Sequence, residues 1–269
     1  MNPYKRLSRQ LRGRLRSRVL GQHGIALLAD TRNGLLAVSP GDFNVSRQLL
    51  TAGEYDWEQV VMLSGLVGPG SRLVFAGAHI GALLVPITRR SQAREVVAYE
   101  PSRRNHALLA ANLALNALPQ VTVHNAALGE RAGTVRFLES AINTGHSRVA
   151  AAGGTIEVPM CTLDGTLPAD WPAVDLMVMD VEGSEVGALR GAAGTLAKTR
   201  FLYVEFAPEN LAEQGVAVED MIRELTLHFT RMSVFGRGVE VSGGERIAGY
   251  LQDYASRSQR LLNLLLSKD

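Results

Sequence analysis

Leu73-Val74-Phe75-Ala76-Gly77-Ala78-His79-Ile80-Gly81, with Val96-Val97-Ala98-Tyr99-Glu100-Pro101 after it, decides the fold. An apolar run of strand length enters a glycine-rich turn. A helix-length segment follows, and a second apolar run ends on a carboxylate. This is half of a nucleotide-binding α/β unit. Gly77 and Gly81 lack a Cβ, so the backbone can turn tightly and a ligand can lie against it. The N–H groups of Gly77, Ala78, His79, Ile80 and Gly81 are expected at a helix N-terminus, where the dipole favours an anionic group. Glu100, nineteen positions after Gly81, is placed to accept hydrogen bonds from the two hydroxyls of a ribose. The spacing is GxxxG, not the GxGxxG of dinucleotide sites, and it points to S-adenosylmethionine rather than NAD.

A second constellation lies a hundred residues on. Val174-Asp175-Leu176-Met177-Val178-Met179-Asp180-Val181-Glu182 and Phe201-Leu202-Tyr203-Val204-Glu205 are apolar runs that end on carboxylates, as central parallel strands do. In an open α/β sheet the ligand crevice lies beyond the carboxyl ends of the strands. Glu100, Asp180, Glu182 and Glu205 are therefore expected on one rim. Glu185 reads as an acid that opens the next helix.

Alternation continues along the chain. Strands are expected at 72–76, 95–99, 121–125, 174–180 and 200–206, with helices at 80–90, 102–116, 184–197 and 218–228. A closing pair of strands is expected near 229–235 and 261–267. Such alternation gives a doubly wound, mostly parallel sheet with helices on both faces. Ahead of it, 24–28 and 34–38 form a hairpin around Asn33-Gly34, and 43–51 and 55–66 read as helices. The expected divisions are a basic segment over 1–23, a hairpin-and-helix extension over 24–68 and the core domain over 69–269.

The chain resembles the FkbM-type family of S-adenosylmethionine-dependent methyltransferases, from about Asp42 to near the C-terminus. Met179-Asp180-Val181-Glu182-Gly183-Ser184-Glu185 matches the family's Asp-Val-Glu-Gly-x-Glu signature. Further matches are Glu100-Pro101 with Asn105, Asn112 and Asn116, then Asn125-Ala126-Ala127-Leu128-Gly129, and Thr162-Leu163-Asp164. Gly53-Glu54-Tyr55-Asp56 resembles the family's Gly-x-Tyr-acid element, which makes Asp56 either a cover for the cofactor pocket or a helix cap.

The resemblance implies a Rossmann-like class I methyltransferase that moves the sulfonium methyl to an oxygen of a small hydroxylated, sugar or natural-product acceptor. It places the cofactor's methionine end on Gly77 to Gly81, its ribose on Glu100 and its adenine edge on Asn125 and Ala126. Asp180 then faces the transfer region as cofactor contact and candidate base, with Glu182 and His79 behind it. Asn143 and His146, in a loop rich in small polar residues, and Glu205 are candidate acceptor contacts. No metal is assigned. Phe75 stands where the family usually has an Asp that helps hold the methionine end, and His79 where it has an Asn. His79 is either a donor to the cofactor's carboxylate or a neutral structural histidine.

Composition narrows the alternatives. The 269 residues suffice for one α/β domain with an extension. No apolar run approaches the roughly 20 residues of a membrane span, and the basic N-terminus lacks the apolar region of a secretory signal. The single cysteine, Cys161, provides no disulfide framework, so a cytoplasmic protein is expected. Arginine outnumbers lysine 25 to 3, the bias of GC-rich bacterial coding. Seven basic residues and no acid occupy the first eighteen positions. Leu7, Leu11, Leu15 and Val19 recur every four residues among them, so a helix here carries an apolar stripe amid arginines. That suits peripheral contact with an anionic inner membrane through residues 1–20, or else a solvated tail or a helix packed on the domain. A nucleic-acid methyltransferase is disfavoured by the absence of an Asn-Pro-Pro-Tyr-type motif and of a basic stripe in the core. A non-catalytic binding protein that keeps the fold remains the other alternative.

Overall fold

The computed structural model describes residues 3–21, 23–140, 143–149 and 153–268, with side chains from residue 8 onward except that of His146. The chain opens with α1 (Pro3–Leu20), the strands β1 (Leu27–Thr31) and β2 (Gly34–Val38), and α2 (Val45–Ala52) and α3 (Trp57–Gly65). The first half of the core runs β3 (Arg72–Ala76), α4 (Leu84–Ser91), β4 (Glu95–Tyr99), α5 (Arg103–Leu115) and β5 (Val121–His124). An insertion follows: β6 (Ala127–Leu128), β7 (Gly133–Leu138), β8 (Arg148–Val149), β9 (Ile156–Cys161) and α6 (Leu163–Thr166). The second half contains β10 (Val174–Met179), α7 (Glu185–Arg190), α8 (Ala193–Ala197), β11 (Thr199–Phe206), α9 (Pro208–Glu213) and α10 (Val218–His228). It ends with β12 (Arg231–Val234), β13 (Val239–Ser242), α11 (Gly244–Arg257) and β14 (Leu262–Ser267).

The central sheet has eight strands in the order β13-β12-β14-β11-β10-β3-β4-β5. From β5 to β11 every pairing is parallel, and β14 runs antiparallel to β11. Its central strands are apolar on both faces because both faces are covered. One core places Val74, Val97, Met177, Val204 and Leu264 under α7, α10 and α11; the other places Leu73, Phe75, Val178 and Tyr203 under the hairpin, α2 and α3. The 24–68 segment thus shares its apolar core with the sheet. In β14, Leu262, Leu264 and Leu266 are buried while Asn263, Leu265 and Ser267 are less so. That two-residue period is why the segment forms a strand.

Three boundaries shift from the sequence expectation for identifiable reasons. The hairpin turns at Arg32-Asn33, where Thr31 pairs with Gly34, and β1 begins at Leu27 rather than near 24. Asn33 is buried there: its Nδ2 donates to Tyr55 O and Ala82 O, and its Oδ1 accepts from Tyr55 N–H. Helix α4 begins at Leu84, not at 80, because Gly77, His79 and Gly81 all have positive φ (80°, 52° and 86°) and keep the loop non-helical. The 184–197 helix is two helices, broken at Gly191, where a Cβ would stand 2.0 Å from Gly129 O. The insertion, expected as loop over 139–155, is bordered by a four-stranded sheet in the order β6-β9-β7-β8.

Helix α1 lies on the 40–42 turn. A Cβ on Gly13 would stand 2.6 Å from Gly41 O, and Arg16 donates to Pro40 O and Asp42 O, each at 3.0 Å. Leu11, Leu15 and Val19 face the other way and are 56%, 60% and 78% exposed. The expected stripe therefore points to solvent, and the small and charged side of the helix docks; Leu7 lies outside the described side chains. No helix among the described residues is long and apolar enough to cross a membrane.

Candidate active site

The carboxyl ends of β4, β3, β10 and β11 open into a cavity of about 370 Å³. At one end Glu100 leaves β4, buried with 4% of its surface exposed. Its Oε2 accepts from His79 N–H at 2.8 Å and its Oε1 from Ser102 N–H at 2.9 Å. Asn105 Nδ2 lies 3.5 Å from Oε1. Burial pushes the carboxyl up to about 7 against these donors. A carboxylate oxygen has two lone pairs, so Oε2 keeps one for a ligand hydroxyl. Ala126, Leu128 and Phe137 give this end apolar walls.

The glycine-rich loop is built differently from the sequence expectation. Gly77 and Ala78 N–H both donate to Tyr99 O, His79 N–H goes to Glu100, and Gly81 N–H goes to Ala78 O. These four donors are engaged by the protein itself, because the loop folds onto the end of β4. Gly77, Ala78 and His79 line the cavity, but Ile80 and Gly81 do not. Gly81 serves packing, with an added Cβ 2.8 Å from Leu109 Cδ1. Asn125 is likewise engaged: its Nδ2 donates to Glu100 O and Pro101 O and ties the turn after β5 to β4, leaving Ala126 as the lining residue.

His79 Nε2 lies 2.8 Å from Thr144 Oγ1. Burial lowers the imidazole to about 4, against the pull of Asp42 and Glu182, so the ring is neutral and brings no cationic charge to the site. Thr144 N–H donates to Asp42 Oδ1 (3.3 Å) and Thr144 O accepts from Asn105 Nδ2 (3.3 Å). Asp42 Oδ2 also accepts from Ser46 N–H in the first turn of α2 at 2.6 Å. Asp42 and Thr144 escaped the sequence reading as site residues, although an acid just ahead of a helix start was a signal for Asp42. In the same loop Thr144, Gly145 and Ser147 line the cavity and Asn143 does not; the side chain of His146 lies outside the described residues.

The other end of the cavity is acidic. Asp180 follows β10, Glu205 stands near the end of β11, and Glu182 sits in the turn between β10 and α7 with φ of 53°. Strands lie about 4.8 Å apart. Two strands separate β4 from β11, which sets Glu100 and Glu205 roughly 14 Å apart. Asn210 Nδ2 donates to both Glu182 (3.3 Å) and Glu205 (3.4 Å). Burial first, then Asp180, Glu182 and Glu185, push Glu205 up to about 9. Asp56, with φ of 45°, brings a fourth carboxyl from the start of α3, raised by burial. Tyr203, 4% exposed, lines this end with a hydroxyl that has no partner in the structure. Glu185 opens α7, and its Oε1 accepts from Val181 N–H and Gly183 N–H and holds the turn that carries Glu182.

The sequence profile of the methyltransferase FkbM domain matches residues 76–232, more than half of the chain. The chain belongs to the FkbM methyltransferase family. It is 27% identical over 166 residues to the 2-O-methyltransferase NoeI of Sinorhizobium fredii, an alignment covering 54% of this chain and 67% of that protein. The FkbM methyltransferase structure from Methylobacillus flagellatus superposes with a TM-score of 0.52 at 17% identity, covering 83% of this chain. This chain spans 53% of the length of that one. TYW2 from M. jannaschii, solved with AdoMet, gives a TM-score of 0.45 at 11% identity over 91% of this chain and 87% of that one.

Family membership makes S-adenosylmethionine the cofactor, and the cavity suits it. A buried carboxylate with an open lone pair accommodates a ribose hydroxyl, and apolar walls beside it accommodate a purine. The acidic end accommodates the cationic amino and sulfonium groups.

Proposed function

We propose that the protein is an S-adenosylmethionine-dependent O-methyltransferase acting on a small hydroxylated acceptor of sugar or natural-product type. The observation that carries this reading is the single cavity running from Glu100 to the carboxylates of Asp180 and Glu205. Family membership and the similarity to a 2-O-methyltransferase support it. The bound cofactor supplies an electrophilic methyl group for in-line displacement. Glu100 accepts from the ribose, Ala126 and Leu128 pack on the adenine, and Gly77 to His79 wall the methionine end. With the cofactor bound, Asp180 would accept the proton of the acceptor's hydroxyl as that oxygen takes the methyl group. Glu205, whose carboxyl burial raises in the ligand-free protein, faces the acceptor. The closed contacts of Asp42, Thr144 and His79 hold the loop over the cavity and limit water entry. Methyl transfer from labelled cofactor to a panel of glycosides and hydroxylated natural products tests this reading, and a panel with no labelled product under conditions where cofactor binds contradicts it.

We further infer that α1 makes a peripheral contact with an anionic membrane. The support is the outward direction of Leu11, Leu15 and Val19 and the exposure of Arg12, Arg14 and Arg18 around them.

A further inference from the structure

The cavity is lined by five carboxylates, those of Asp56, Glu100, Asp180, Glu182 and Glu205, and by no lysine or arginine among the described residues. Glu100 is occupied by the ribose in the reading above. The remaining four share the opposite end, and the one histidine among the described lining residues, His79, is neutral. Their arrangement is not that of a metal site: no group of three or more potential ligands among the described residues is placed to hold an ion.

Charge balance then bears on the acceptor. S-adenosylmethionine carries an ammonium, a sulfonium and a carboxylate, a net single positive charge. Glu205 holds its proton in the ligand-free protein, and one such cofactor leaves most of the negative charge of Asp56, Asp180 and Glu182 uncompensated in a partly desolvated space. An acceptor bearing phosphate, sulfate or carboxylate adds like charge there and is disfavoured. An ammonium, which only donates hydrogen bonds, matches an end whose side chains are mostly acceptors. The second observation is the hydroxyl of Tyr203, buried at the same end without a partner. A buried polar atom left without a partner indicates a group that the site is built to receive.

We propose that the Asp56–Asp180–Glu182–Glu205 end is an acceptor subsite for a primary ammonium carried near the methylated hydroxyl, so that the acceptor is of the amino-sugar or amino-alcohol class. This rests on the methyltransferase reading above and adds to it the charge of the acceptor. Glu205 and Glu182 share Asn210 as a donor and mark the ammonium position. Tyr203 supplies the hydrogen bond to an adjacent hydroxyl, and Asp180 stays with the proton that leaves.

The test is calorimetric titration of the full-length protein, saturated with S-adenosylhomocysteine to prevent turnover. The probes are glucosamine, its uncharged analogue N-acetylglucosamine, and 2-aminoethanol. Glucosamine is expected to bind at least about ten-fold more tightly than N-acetylglucosamine at neutral pH, the ratio set by one charge-assisted hydrogen bond. Glu205→Gln and Asp56→Asn are each expected to shrink that ratio several-fold, with S-adenosylhomocysteine kept saturating in each variant. A merely structural effect would weaken both sugars together and leave the ratio unchanged. Equal or tighter binding of N-acetylglucosamine, or no binding of either amine at millimolar concentration, overturns the cationic subsite. Failure of S-adenosylhomocysteine itself to bind overturns the methyltransferase reading instead.

Discussion

A Cβ placed on Gly77 would stand 1.8 Å from the carbonyl oxygen of Asp180. The first turn after β3 and the first residue after β10 therefore touch backbone to backbone, and both line the cavity. Gly77 also has φ of 80°, a conformation costly for any residue with a side chain. Gly77→Ala is expected to destabilise the fold by about 3 kcal/mol or more, by combining backbone strain with a steric clash. Thermal unfolding reads this directly; an unchanged midpoint would mean that the two turns are not in contact. A bulky side chain at this position thus harms the protein before any ligand is bound.

Asp180 and Glu185 lie in one signature motif but have different roles. Asp180→Asn keeps the shape and removes the proton acceptor, so turnover is expected to fall by about 10²–10⁴-fold. Cofactor affinity should change much less. Glu185 works through the turn, accepting from Val181 and Gly183 N–H. Glu185→Gln retains an acceptor oxygen and should cost little, whereas Glu185→Ala leaves the buried Gly183 N–H and the part-buried Val181 N–H without their acceptor and is expected to lower stability by about 1–3 kcal/mol. Wild-type turnover in Asp180→Asn would move proton removal to another group.

Much of this was readable in the sequence. The runs that became β3, β4, β10 and β11 are apolar on both faces, and the acids at their ends marked the rim. Contacts between distant segments were not readable. Asn33 looked like a turn residue because its buried bonds to Tyr55 and Ala82 come from elsewhere in the chain. The glycine-rich loop looked like an array of free donors because nothing local shows that Tyr99 O takes two of them. Strands β7 and β9 pack mainly on each other around Phe137 and Val158, a small core with weak alternation. Tyr203 read as one more apolar strand residue, since its partnerless hydroxyl is a property of the assembled cavity.

Acidity carries its own pH signature. The carboxyls of Glu100 and Glu185 are raised from 4.5 to about 7, and that of Glu205 to about 9, all chiefly by burial. The folded protein thus holds these protons more tightly than the unfolded chain. Their stabilising contribution is full below the ordinary value of 4.5 and is lost as pH rises through 7 and then 9. The ligand-free protein is expected to lose thermal stability across this range. Glu205→Gln should flatten the upper part and raise the midpoint at alkaline pH by roughly 2–6 °C. A midpoint that rises with pH from mildly acidic to alkaline would contradict the burial of these groups.

Helix α1 should bind vesicles containing anionic lipid and lose them as salt rises, since exposed charges are screened over about 8–10 Å at ordinary ionic strength. Co-sedimentation of the full chain with phosphatidylglycerol vesicles checks this. Leu11→Ser combined with Leu15→Ser should reduce binding without altering the docking of Arg16 on Pro40 and Asp42. Sedimentation unaffected by those changes would assign α1 to the protein's own packing alone.

The most direct measurement is the affinity for S-adenosylhomocysteine of the wild-type protein and of Glu100→Gln. The glutamine keeps one oxygen, so one of the His79 and Ser102 N–H donors loses its acceptor, and the thermal midpoint of the free protein reports that cost separately. Loss of charge-assisted bonds worth about 1.5–3 kcal/mol predicts a fall in affinity of roughly ten- to a hundred-fold in the variant that remains folded. Equal affinities in the two proteins, or no binding by the wild type, would contradict the assignment of this cavity to the cofactor.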